Sequence, residues 1–126
     1  MLSSVSRFAD LIDLKLQAKQ AHWNVKDSTF IVLHHLFDSV REDTEEFVDT
    51  VAERIVVLGG IAGGTIIHVC QLNQLPAYPV DMSSGGDHVE ALSTALATCS
   101  KVVRMAINSG TELGNVDTAD LFTAIS

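Results

Sequence analysis

The chain is poor in cysteine, proline, aromatics and basic residues, and each shortage removes possibilities. The two cysteines, Cys70 and Cys99, form no C-x-x-C and are expected to be buried thiols rather than a bridge. The only prolines, Pro76 and Pro79, rule out regular structure in the link Asn73–Pro79. Aromatics are 6% of residues against 47% apolar, a mixture rich in Ala, Val, Leu and Ile that suits packed helices better than a sandwich or barrel. Eight basic residues face 16 acidic ones, for a net charge of −8. That balance repels nucleic acid and anionic membranes and attracts cations. Ile55–Ile67 is the main apolar run; its 13 residues include four glycines, and a membrane-spanning helix needs about 20 apolar residues. No charged segment precedes an apolar signal core at the start. The expectation is one domain over residues 1–126, cytoplasmic by default and without a membrane partner.

What the chain does have is concentrated between Gln20 and Gly60, read as a helix end, a turn and a long helix from about Ser28 to Leu58. At roughly 100° per residue, one side of that helix carries His34, Asp38, Glu42, Glu45, Glu46, Asp49 and Glu53. Like charges at this spacing weaken a helix by a few tenths of a kcal/mol per pair, and Arg41 relieves only part of the strain. The face is either solvated or meant for cations. His34 and Asp38 can share an ion, as can Asp49 and Glu53, but the midpoints of the two pairs lie about 22 Å apart along the helix. A second copy packed antiparallel, with a two-fold axis near Asp43 or Thr44, sets each His-Asp pair against the partner's Asp-Glu pair. Two identical inter-subunit sites result.

The runs AHWNV (Ala21–Val25), LHHLFD (Leu33–Asp38) and D-x-x-x-E-R (Asp49–Arg54) followed by LGG resemble the Dps family, the mini-ferritins named as DNA-binding proteins from starved cells. The resemblance covers almost the whole chain. Its motif is a His followed by His at +12, Asp at +16, Asp at +27 and Glu at +31, matched by His22, His34, Asp38, Asp49 and Glu53. It implies a ferroxidase centre across a dimer two-fold, with His22, His34 and Asp38 from one subunit and Asp49 and Glu53 from the other. Trp23 is a dimer-interface aromatic or, by resemblance, an auxiliary residue that gives up an electron during peroxide reduction. The E-x-x-H pair of di-iron bundles is absent, which argues against a site within one subunit.

The fold expected is all-α, a ferritin-like four-helix bundle with a short helix in the long crossover between helices 2 and 3. Helix 1 runs from about Ser4 to Asn24, its apolar stripe formed by Phe8, Leu11, Ile12, Leu16 and Ala18, with Asp10, Asp13, Lys15 and Gln17 between. Lys26-Asp27-Ser28 makes the turn, and Ser28 or Thr29 caps helix 2. Its buried sides are Phe30, Leu33, Leu36, Phe37, Val40, Phe47, Val48, Val51 and Ile55, and Gly59-Gly60 stops it. A short helix covers Ile61 to about Leu72, and Asn73–Pro79 is irregular. Asp87 with Glu90 forms a capping box for a helix that buries Val89, Leu92, Leu96, Cys99, Val103 and Ile107 and ends near Asn108–Gly110. Asp117 caps a fourth long helix, truncated at Ser126, so that the domain reads as incomplete at both termini.

Two imidazoles and three carboxylates suit Fe(II), with zinc or manganese as substitutes. The resulting expectation is an iron-storage and detoxification ferroxidase. It oxidises Fe(II) with hydrogen peroxide or dioxygen and stores ferric mineral in a hollow shell, by resemblance a dodecamer built from two-fold dimers. Glu42, Glu45 and Glu46 either line the cavity or are solvated, and Asp117 and Asp120 are pore-edge candidates. His35, His68 and His88 match no ligand position and are expected to be structural or surface residues. The alternative is a DNA-condensing stress protein without significant ferroxidase activity. Its phosphate contacts need clustered Lys and Arg, whereas the eight basic residues here are scattered.

Overall fold

The computed structural model describes residues 2–26 and 30–112, with side-chain environments for residues 5–26 and 31–101. Over these the chain is all-α: α1 (Leu2–Asn24), α2 (Phe30–Val57), α3 (Ile66–Leu72) and α4 (Gly85–Glu112). The expected turn at Asp27, the caps at Ser28 or Thr29, and the fourth long helix with Asp117 and Asp120 lie outside the described residues.

Helix α1 is the hub, in contact with α2, α3 and α4. Phe8, Leu11, Ile12 and Ala18 are buried as expected, joined by Ala9, Leu14 and Ala21. From α2 the core takes Phe37, Val48, Val51 and Ile55, and from α4 Leu92, Ala95 and Cys99. Small residues at Ala9, Ala18 and Ala21 let neighbouring backbones come close to α1. A side chain the size of Leu11 or Phe37 contributes about 1.5–3 kcal/mol when fully buried.

The supposedly polar side of α1 is also covered, which corrects the simple amphipathic reading. Asp10 is fully buried: its Oδ2 accepts from Arg7 Nε at 2.8 Å and its Oδ1 from the backbone N–H of Gln74 at 2.6 Å. Gln17, also buried, donates to the carbonyl of Pro76 at 3.2 Å. The link after α3 therefore crosses α1 and ties to its polar residues, satisfying backbone groups that a loop would otherwise leave to water. Asp13 is half-buried, and burial pushes its carboxyl above the ordinary range.

Helix α2 ends as the glycine pair requires. Gly60 N–H bonds to Ile55 O at 2.9 Å and Gly59 N–H to Val56 O at 3.0 Å, while Gly59 adopts φ 88°. This is a Schellman closure with glycine in the left-handed position that a Cβ would disfavour. The helix is unbroken from Phe30 to Val57, so the separation of the His34–Asp38 and Asp49–Glu53 pairs stands.

Four expectations need correction. The short helix covers only Ile66–Leu72; residues 59–65 are not helical, because four glycines in six positions raise the entropy cost of helix. Helix α4 begins at Gly85, and His88 N–H already bonds to Ser84 O at 3.1 Å. Asp87 is thus in the first turn rather than at the cap, where it still faces the positive end of the helix dipole. Leu16, Leu36, Val89 and Leu96 are 39–50% exposed. The last three line an open apolar groove between α2 and α4. Finally, Cys99 is a buried free thiol, raised to about 11 chiefly by burial, but Cys70 is exposed on α3.

Candidate metal centre

His22 sits in the last turn of α1 and His34 in the second turn of α2, so the connecting turn brings twelve residues' separation down to contact. Their rings stack with centroids 3.6 Å apart and planes 24° from parallel. The hydrogen bonds are reciprocal. His22 Nδ1 lies 2.6 Å from the carbonyl of His34, and His34 Nδ1 lies 2.7 Å from the carbonyl of His22. A carbonyl oxygen only accepts, so each Nδ1 carries the proton and donates. In the neutral ring this leaves the lone pair on Nε2, the arrangement that metal-binding imidazoles use when an outer partner fixes the tautomer.

Local chain chemistry explains the lock. The last four carbonyls of a helix lack intrahelical partners. The N–H of Lys26, which would have reached His22 O, turns instead to Ser83 O at 2.9 Å. His34 takes that carbonyl. On the other side, the His34 carbonyl receives the His22 ring.

Asp38 lies one turn beyond His34 and half-exposed. Lys19 Nζ and Arg41 Nε both contact its Oδ1 at 3.1 Å. Hydrogen bonds from these two cations, Lys19 first, hold the Asp38 carboxyl down at about 2. Arg41 also reaches Glu45 at 2.6 Å and Glu42 at 3.5 Å, so one guanidinium serves three members of the acidic face. Trp23 is 64% exposed beside His22, with Lys19 Nζ 5.8 Å from its ring centre, within cation–π range. Sequence reasoning left Lys19 without a role. Its partner Asp38 lies on another helix, so local spacing carries no signal of the contact.

Asp49 and Glu53 lie exposed toward the far end of α2. The structure brings His22, His34 and Asp38 into one neighbourhood and leaves Asp49 and Glu53 apart from them, at the helical separation of about 22 Å. Among the described residues of one chain, no three His, Cys, Asp or Glu side chains converge on a metal-sized space. Of the remaining histidines, His88 is buried, with Nε2 3.1 Å from Met82 O and Nδ1 2.6 Å from the Tyr78 hydroxyl. His68 pairs with Thr65 at 2.8 Å, and His35 is exposed with its ring edge toward His34.

The family model for the ferritin-like domain matches residues 6–126. A DNA protection during starvation protein from Agrobacterium fabrum is 43% identical over 118 residues, which are 94% of this chain and 73% of that relative. Among solved structures, a C-terminal deletion mutant of Mycobacterium smegmatis Dps superposes with a TM-score of 0.92 at 28% identity, covering 98% of this chain and 85% of the other. Dps from Staphylococcus aureus gives 0.91 at 25% identity, covering 98% and 82%.

Proposed function

Since the chain belongs to the Dps family of ferritin-like proteins, we propose that it is a ferroxidase that removes and stores iron at a centre shared by two subunits. The observation that carries the reading is the reciprocal lock of His22 and His34. It aims two Nε2 lone pairs away from the chain's own hydrogen bonds, beside a carboxylate that is ionised across the physiological range. Borderline nitrogen and hard oxygen donors together suit Fe(II), and carboxylates favour the ferric product. Zinc would fit the same donors as a substitute.

The completing carboxylates are Asp49 and Glu53 of an antiparallel second copy. Exposed apolar side chains support pairing with a second copy: Val56 and Val57 at the end of α2, and Ile61, Ile66 and Ile67 around α3 are each at least 60% exposed. Burying such a surface offsets the entropy lost on pairing.

The substrate is Fe(II) and the oxidant is hydrogen peroxide, or dioxygen. Two Fe(II) ions supply the two electrons that reduce one peroxide to water, so no one-electron fragment need be released. His22, His34 and Asp38 bind and orient the ions, and the acidic face with Glu42, Glu46, Asp49 and Glu53 draws cations toward it. Trp23 stands beside His22 as an electron donor for stray oxidising equivalents. The ferric product is kept within a closed assembly of two-fold dimers, a dodecamer, in the cytoplasm. Among the described residues, no helix is long and apolar enough to cross a membrane. DNA condensation is not part of the proposal. Arg7, Lys19 and Arg41 are already engaged by carboxylates, which leaves still fewer charges for phosphates.

Mixing two disabled chains tests the sharing. His22→Ala/His34→Ala protein and Asp49→Ala/Glu53→Ala protein are each expected to oxidise Fe(II) no faster than buffer, followed by absorbance of the ferric product. Refolded together, mixed pairs regain one intact centre each, and activity returns. If mixing restores nothing while either double variant alone stays active, the shared centre is wrong.

A further inference from the structure

One buried group has no part in the iron site. Tyr78, the chain's only tyrosine, comes from the crossover and is half-buried; His88, on the first turn of α4, is 1% exposed. Their rings lie 5.8 Å apart and 19° from parallel, and the phenol oxygen is 2.6 Å from His88 Nδ1. The other nitrogen, Nε2, faces the Met82 carbonyl at 3.1 Å and must therefore donate to it. In the neutral ring Nδ1 is then a bare lone pair, and the phenol donates to it. Burial raises the phenol to about 12, so simple loss of its proton to water is suppressed. The ring of Phe37, the residue before Asp38, lies 6.2 Å from His88, which brings the pair near the α2 turn that carries the iron-binding carboxylate.

We propose that Tyr78 and His88 form a proton-coupled redox pair that intercepts oxidising equivalents escaping the iron centre. The proposal rests on the iron-oxidation reading for the source of the oxidant, a hydroxyl-radical-class species made when Fe(II) meets peroxide singly. One electron leaves the phenol and reduces that species to hydroxide. The phenol O–H bond breaks, and its proton forms an N–H bond at His88 Nδ1. The products are a neutral tyrosyl radical and an imidazolium whose two N–H groups donate to the tyrosyl oxygen and the Met82 carbonyl. A further Fe(II) returns the electron, the proton moves back, and Fe(III) joins the product. The donor–acceptor distance is within the range for direct proton transfer, and both partners stay hydrogen-bonded in either state, so little rearrangement is needed.

The test has two arms on the full chain. In the first, a photogenerated ruthenium(III) tris-bipyridine oxidises the iron-free protein, and electron paramagnetic resonance reads the radical. A tyrosyl signal is expected, absent in Tyr78→Phe, and formed at least tenfold more slowly in His88→Gln, which keeps an acceptor but no base. Formation in the wild type should also slow in heavy water. In the second arm the oxidant is Fe(II) with substoichiometric peroxide, and the same signal should rise and then decay as Fe(II) remains. No tyrosyl signal in the first arm, or one indifferent to heavy water, overturns the pair. A signal there, with normal iron oxidation but no tyrosyl in the second arm, overturns its interception role. Absence of iron oxidation instead marks failure of the ferroxidase reading, while the first arm still decides the pair. Should His88→Gln fail to fold, Tyr78→Phe and the isotope effect carry the decision.

Discussion

Two groups of histidines in this chain hydrogen-bond to backbone carbonyls, with opposite results. At the α1–α2 turn, the carbonyls sit on Nδ1 of His22 and His34, leaving both Nε2 atoms for a ligand. Before α4, the carbonyl of Met82 sits on Nε2 of His88 and Tyr78 takes Nδ1, so the ring is fully used. The difference is not one of residue type or of the presence of a carbonyl. It lies in which nitrogen the carbonyl meets and whether the other faces solvent or a buried partner. The fold satisfies one nitrogen each of His22 and His34, and both nitrogens of His88.

The sharpest way to break this comparison is to remove one ring from each group. His34→Ala should slow Fe(II) oxidation by about 100-fold, since even outer partners of metal ligands are worth 10–100-fold, with urea stability changed little. His88→Ala should do the reverse, costing about 3 kcal/mol through a cavity and two orphaned polar groups, with oxidation per folded molecule retained. Chemical denaturation and ferric absorbance on both variants check it; equal effects would erase the distinction.

A smaller effect sharpens the buried side. The phenolate absorbance of the only tyrosine should titrate near pH 12 in the folded protein, against about 10 unfolded. Above pH 10 the unfolded chain loses this proton first, so stability falls as pH rises from 10 toward 12. A folded-state midpoint at 10 would show Tyr78 to be in contact with water.

The smallest effect concerns the exposed side. Lys19→Met removes one of two cations from Asp38, and anaerobic Co(II) binding should tighten roughly two- to fivefold, the scale of an exposed ion pair. Unchanged or weaker binding, read by calorimetry, would mean that Lys19 does not compete with the ion.

Much of this was legible along the chain, and particular residues show why. His22, His34 and Asp38 are brought together by a turn and one helical step, both local. The glycine stop at Gly59 follows from its backbone freedom. Asp10 and Gln17 fall between the apolar positions of α1 and are nevertheless buried, because the segment that covers them, Gln74 to Pro76, is about sixty residues away. Leu36, Val89 and Leu96 fit the apolar period equally well, yet they line an open groove and stay partly exposed, and periodicity does not say which apolar stripe finds a partner. Lys19 was invisible for the same reason: its meaning comes from Asp38 on another helix.

By itself, then, the sequence determined the helices, the acidic face of α2 and the spacing that keeps its His34–Asp38 and Asp49–Glu53 pairs apart, because helical geometry is fixed by neighbours a few residues away. Only the tertiary structure decided which carbonyl each imidazole meets, and hence which nitrogen is left for chemistry. Hydrogen bonds between elements depend on where separate stretches of backbone come to rest, and no local rule contains that.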